Sequence, residues 1–307
     1  MRIIKLALLV WLLSAVTVFA EEVGHAVASG HAAHWTYEGE AGPAKWGKLS
    51  AEFAECSIGH AQSPINLTAA ETAQMPPVVP AYVTPPLHII NNGHTIMVST
   101  SDGGETNFAG KQYKLVQFHF HAPSEHKIDG KTYAMEIHLV HRDSNGQLAV
   151  LGVMAKRGKE NPEIKRLWEN IPKEAANKQV KVDIASMLPS DKSYYHYVGS
   201  LTTPPCSEGV MWYVLKKPIE ASADQLQKLA ALFKHNERPV QPLNGRKLLF
   251  VKDTPALATP MVAAATHPPE ESSPPPAHKE TSTSHEQLVS AATEKAAESK
   301  NGGISSS

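Results

Sequence analysis

Between His34 and Asp253 the chain breaks into many short apolar runs, each too brief for a helix and each closed by turn residues. They read "LHIIN", "HTIMVST", "KLVQFHFH", "YAMEIHLVH", "QLAVLGVMA", "VMWYVLKK" and "KLLFV". Several alternate apolar and polar residues with a period of two, the mark of strands with one buried face. Only "ENPEIKRLWENI" and "SADQLQKLAALFK" have helical spacing, the second opening on Ser222 as an N-cap. The expected fold is mainly β, of the α+β kind: a strand-dominated domain with short peripheral helices.

The two ends of the chain differ from this middle. "MRIIKLALLVWLLSAVTVFAEE" has Arg2 and Lys5 before an apolar run, and small residues at its close. It reads as a signal peptide, residues 1–20, cleaved after Ala20. An uncleaved anchor is the alternative. No cysteine follows the run, so lipid attachment there is not expected. Residues 21–33 are small and polar and read as a flexible lead-in to a single domain over 34–253. Residues 254–307 contain no Phe, Trp or Tyr and carry "HPPEESSPPPAHKE". Such a tail cannot bury enough apolar surface to fold alone and is expected to be disordered. Its segment "SHEQLVSAATEKAAESK" has a capping-box pattern at Ser284 and Gln287, but an isolated helix of that length is marginal. The formal net charge is −1, so no electrostatic reason exists to expect nucleic acid. Export would permit a disulfide, and Cys56 and Cys206 are the only cysteines. Two buried free thiols are the other reading.

Chemistry concentrates in "QFHFHAPSEH", residues 117–126. In a strand, His119 and His121 share one face and Phe118 and Phe120 the other. Catalytic zinc sites use three protein ligands and leave one position open. In the next run, Met135, Ile137 and Leu139 alternate with Glu136, His138 and Val140. If the apolar set faces the same core as the two phenylalanines, His138 joins the other histidines. Asp129-Gly130 is a favoured hairpin centre, and pairing about it sets His121 opposite His138 with His119 diagonal. Pro123 must disturb that ladder. His141 falls on the other face and reads as a structural histidine. Gln117 and Glu136 flank the ligand positions and can accept the histidines' second N–H, which orients each ring. A competing pattern is H-x-H-x-x-x-E, His119, His121 and Glu125, which resembles the first metal motif of cupins. That motif expects a glycine where Tyr113 stands, and no second cupin motif follows.

Several stretches then agree in order: "QSPINL", "NNGH", "QFHFHAPSEH", "AMEIHLVH", "LAVLGV", "GSLTTPPCSEGVMW" and "RPVQPLNGR". Together they resemble the alpha-class carbonic anhydrases of the exported bacterial kind, over most of the chain. The resemblance implies a large, mostly antiparallel twisted central sheet with one zinc ion at the base of a conical cleft, held by His119, His121 and His138. It implies reversible hydration of carbon dioxide to bicarbonate and a proton by zinc-bound hydroxide, with weak esterase activity as a side reaction. Thr202 would accept the hydroxide's proton as a hydrogen bond and donate its own to Glu125. Val140, Val150, Leu201, Val210 and Trp212 would form the apolar pocket for carbon dioxide. His94 would shuttle protons, with Tyr37 and Asn92 ordering the water between. Met97 stands where many members have a polar residue. Cys56 and Cys206 would form the disulfide of secreted members, closing a loop of about 150 residues that the chain-entropy model values at roughly 5 kcal/mol. The expected location follows from the signal alone: the periplasm, with full secretion as the alternative and no lasting membrane insertion. A homodimer fits the resemblance. Inactive binding relatives typically lack a zinc histidine, and this chain keeps all three.

Overall fold

In a computed structural model of the 307-residue chain, residues 33–172 and 178–253 are described. The expected signal peptide, nearly all of the expected lead-in and the tail from Thr254 onward lie outside the described residues.

The strand-like runs do pair into one sheet. Its spatial order is Lys178–Val180, Leu87–Asn91, Ile96–Ser99, Lys111–His121, Met135–Arg142, Leu148–Arg157, Glu208–Leu215, Tyr194–Ser200, Leu249–Val251 and Glu71–Thr72. With three further strands off this path it has thirteen strands among the described residues. Most neighbours are antiparallel, but the contact of Leu148–Arg157 with Glu208–Leu215 is parallel. The sheet is therefore mixed. Tyr194–Ser200, "YYHYVGS", was not among the expected strands, although its tyrosines and valine favour one.

The alternation sorts the side chains as expected. Phe118, Phe120, Ile137, Leu139, Leu151 and Val153 enter the main core. There they meet Ile164, Leu167 and Trp168 of helix Pro162–Glu169 and Leu229 of helix Ala223–Leu232. Ser222 caps the second helix through a full capping box, and Asn161 caps the first. On the opposite face Val150, Met154, Tyr197, Val210, Trp212 and Val214 form a second apolar cluster with Ile65 and Leu67.

The expected hairpin register is corrected. His119 sits opposite His138, and His121 opposite Glu136. Asp129 and Gly130 do form a tight turn, both at positive φ, but it closes only the bridge Ile128–Lys131. Lys127–Ile128 pairs with Asn66–Leu67 in a separate small sheet. The ladder carrying the histidines ends at His121, because Pro123 has no N–H to continue it. Between Leu115 and Gln117 that ladder slips by one residue. Gln117 shares the His119 face by simple alternation, and the bulge at Val116 turns Leu115, two residues earlier, toward the main core.

Candidate metal centre

The end of strand Lys111–His121 and the middle of strand Met135–Arg142 place three imidazoles together. One ring nitrogen from each of His119, His121 and His138 lies within 4.8 Å of the other two. The second nitrogen of each ring is used elsewhere. His119 Nδ1 donates to Gln117 Oε1 at 2.9 Å. His121 Nδ1 donates to the Asn236 carbonyl at 2.6 Å. His138 Nε2 donates to Glu136 Oε1 at 2.9 Å. These bonds fix the tautomers and leave the lone pairs of His119 Nε2, His121 Nε2 and His138 Nδ1 free. His121 Nε2 is buried without a hydrogen-bond partner, as is Glu125 Oε2, 3.5 Å away. A buried nitrogen lone pair with no donor beside it costs free energy unless something occupies the space. Three neutral imidazoles with an open position match the ligand set of a zinc site.

The electrostatics agree with neutral rings. Burial, then the other two histidines, hold His119 well below the usual imidazole range. Burial and His138 bring His121 down to about 3. Burial lowers His138 too, against the pull of Glu136. Glu136 is fully buried; burial pushes its carboxyl up, but His126 and His138 outweigh that and hold it well below the carboxylate range. His126 was not singled out from the sequence. Its Nδ1 donates to Glu136 at 2.8 Å, and it meets the Tyr197 hydroxyl at 2.6 Å. Tyr197 in turn contacts Ser63, whose Oγ accepts from the Ser200 N–H. His126, Glu136 and His138 also cluster closely enough for a metal. Their atoms already satisfy one another, so this group is a support for His138.

Glu125 is buried behind the histidines. Its Oε1 accepts the Arg238 backbone N–H at 2.8 Å. Burial raises its carboxyl well above the ordinary value, with Glu136 adding; Arg238 and the Thr202 hydroxyl act against this. A cation held by the histidines would also favour the carboxylate. Arg238 and Asn236 were missed as site residues, although "RPVQPLNGR" begins at Arg238. The Arg238 guanidinium donates to Gln62, Ser63 and Cys56, and the Asn236 amide holds Ala122, His94 and Phe120. Their roles come from folding together distant segments, which no local pattern reveals.

Val150, Val210 and Trp212 are buried beside the site, with Val140 and Leu201 packed on them. The Trp212 ring centre is 4.9 Å from that of His138. His94 lies nearer the surface, stacked on Trp35 at 3.8 Å, with Tyr37 close by. Burial and His34 lower its pKa. Asn92 Oδ1 accepts the N–H groups of His94 and Thr95, so it shapes the turn that carries His94. His141 is buried on the other face, against Tyr82 and Thr106, and burial brings it to about 3. Cys56 and Cys206 are joined in a disulfide. The open sheet is not the small barrel that the cupin pattern requires.

A family model described as eukaryotic-type carbonic anhydrase matches residues 41–252. The chain is 44% identical over 251 residues to a carbonic anhydrase of Klebsiella pneumoniae, covering 80% of this chain and 97% of that one. It resembles the alpha-carbonic anhydrase of Thermovibrio ammonificans, solved with sulfanilamide, at 48% identity and a TM-score of 0.69, over 71% of this chain and 99% of that one. It also resembles dioscorin, solved with ascorbate, at 30% identity and a TM-score of 0.67, over 73% of this chain and 100% of that one.

Proposed function

The chain belongs to the alpha carbonic anhydrase family, and from that premise we propose that it is a zinc enzyme hydrating carbon dioxide, with His94 as proton shuttle. The observation that carries this is the convergence of three free imidazole lone pairs, each ring pinned by its other nitrogen. His119, His121 and His138 would hold the ion. Zinc, when bound, lowers the pKa of a water molecule to about 7, so that hydroxide is available at neutral pH.

The protein's own groups do the rest. Glu125 Oε2 has no well-formed hydrogen bond and is free to accept the Thr202 hydroxyl proton. Thr202 Oγ is then left as an acceptor. An acceptor there orients a nucleophilic O–H and disfavours anions that have no proton to donate. Val140, Val150, Leu201, Val210 and Trp212 supply an apolar wall suited to carbon dioxide. His94 takes up the proton that the reaction releases into cleft water. An imidazole can accept and release protons near neutral pH. Weak hydrolysis of activated esters accompanies the reaction. Among the described residues no helix is long and apolar enough to cross a membrane. The disulfide and the signal-like start support export, with the periplasm as the location.

The test is stopped-flow carbon dioxide hydration with metal analysis on wild type, His119→Ala and His94→Ala. We expect one zinc and fast hydration in wild type. His119→Ala should lose both. His94→Ala should keep its zinc, lose rate in dilute buffer and recover it with imidazole. A zinc-loaded wild type without hydration would mean a binding protein on this fold. Iron or manganese in the site would overturn the zinc assignment.

A further inference from the structure

A cavity of about 630 Å³ opens beside His94, and two more histidines, His34 and His235, line it. His235 has no part in the site described above. Its side chain is 61% exposed, so buffer reaches it freely. Its Nδ1 donates to Glu237 Oε1 at 3.0 Å. That bond fixes the tautomer and leaves Nε2 as a proton acceptor. Glu237 Oε2 is buried without a hydrogen-bond partner, and burial raises this carboxyl against the pull of His235. His94, by contrast, is partly enclosed, stacked on Trp35. A shuttle in that position needs somewhere to send its proton.

Resting on the proposed function above, we infer that His235, held by Glu237, is a second proton-relay residue that receives the proton from His94 through water in their shared cavity. The step balances simply. The His94 imidazolium loses a proton to water and returns to neutral. Neutral His235 Nε2 takes a proton from that water chain, and the His235 imidazolium later gives it to a buffer base. The charged and titratable groups around the relay are His34, Tyr37, Glu38 and Lys234, with Glu237. Burial and His34 lower the pKa of His94, which makes it a ready donor once protonated.

The experiment uses full-length, zinc-loaded protein with His235→Ala and His94→Ala singly and together. In dilute buffer His235→Ala should lower kcat by about threefold, leave kcat/KM unchanged, and recover in concentrated imidazole. On the His94→Ala background it should add nothing, as two members of one relay behave. Imidazole ¹⁵N shifts should place the neutral His235 hydrogen on Nδ1, and Glu237→Ala should remove that preference. An undiminished kcat in dilute buffer overturns the inference. So does a parallel fall in kcat/KM, a full additional loss on the His94→Ala background, or a hydrogen found on Nε2. Wild type without hydration sinks the proposed function and this inference together; a fully active His235→Ala sinks this one alone.

Discussion

Two carboxylates share one dry pocket here, and their neighbours drive them in opposite directions. Burial acts to raise both. Glu136 has two imidazole N–H donors, from His126 and His138, and is held ionised. Glu125 has one backbone N–H and a nearby hydroxyl, and burial wins. Residue type alone would make them alike. In the proposed zinc site the charge on Glu136 would strengthen His138 as a ligand, since a ring whose N–H faces a carboxylate is a better donor at its other nitrogen. Glu136→Gln should therefore keep the fold and weaken zinc binding about 10–100-fold, read by competition with a chelating dye. An unchanged affinity would remove Glu136 from the metal site. The sequence placed Glu136 correctly beside His138, because period two is local. It did not disclose His126, five residues beyond His121, because that side chain is aimed by a loop.

At the level of strands, parity mattered more than register. The expected pairing set His121 opposite His138, and the ladder sets His119 there. The two registers differ by an even offset, which leaves every side chain on its face. The three histidines therefore converge despite the error in the pairing that suggested this. An offset of one would have turned the histidines into the core. The bulge at Val116 is such a single step, confined to the strand's far end, and nothing in "KLVQFHFH" announces it. Gly152 shows the same dependence on neighbours. It lies opposite His138, and a Cβ there would sit 3.2 Å from Glu136 Oε1 and 3.3 Å from Val214. Gly152→Ala should cost about 1–3 kcal/mol as overpacking and displace the carboxylate. Urea unfolding would measure the first effect and zinc affinity the second.

Over the whole molecule, the segment around Cys206 is tied to the N-terminal part by more than the disulfide. Glu208 accepts from the Ala61 N–H and from Gln62, and Gln62 also donates to the Cys206 carbonyl. Arg238 reaches across to Cys56 and Ser63 from near the chain's other end. The bridge spans 150 residues of sequence. Closing so long a loop is worth roughly 5 kcal/mol at most in the chain-entropy model. Reduction should lower the Tm clearly, and a melt unchanged under reductant would show that other contacts suffice. Burial acts to raise Glu208, but Gln62, the Ala61 N–H and Arg246 bring it below its ordinary 4.5. A depressed carboxylate adds stability above its unfolded pKa and loses it as pH falls through the folded value. The Tm advantage of wild type over Glu208→Gln should thus be full above about pH 4.5 and fade on the acid side. A gap independent of pH would assign the difference to something other than this charge.

Sequence alone determined most of the longer strands and which of their side chains share a face, because alternation follows from the backbone within a few residues, but it gave neither strand Tyr194–Ser200 nor the bulge at Val116. It also singled out three imidazoles with two of their orienting partners, Gln117 and Glu136, since both lie two residues from a ligand. Tertiary structure decided the rest. The third orienting group is the Asn236 carbonyl, 115 positions from His121. The relay through His126, Tyr197 and Ser63, the clamp by Arg238 and the cavity shared by His94 and His235 all join segments far apart in the chain. Such contacts depend on how strands order themselves across the sheet and where loops cross its face. That order is a property of the packed molecule, and no window of sequence contains it.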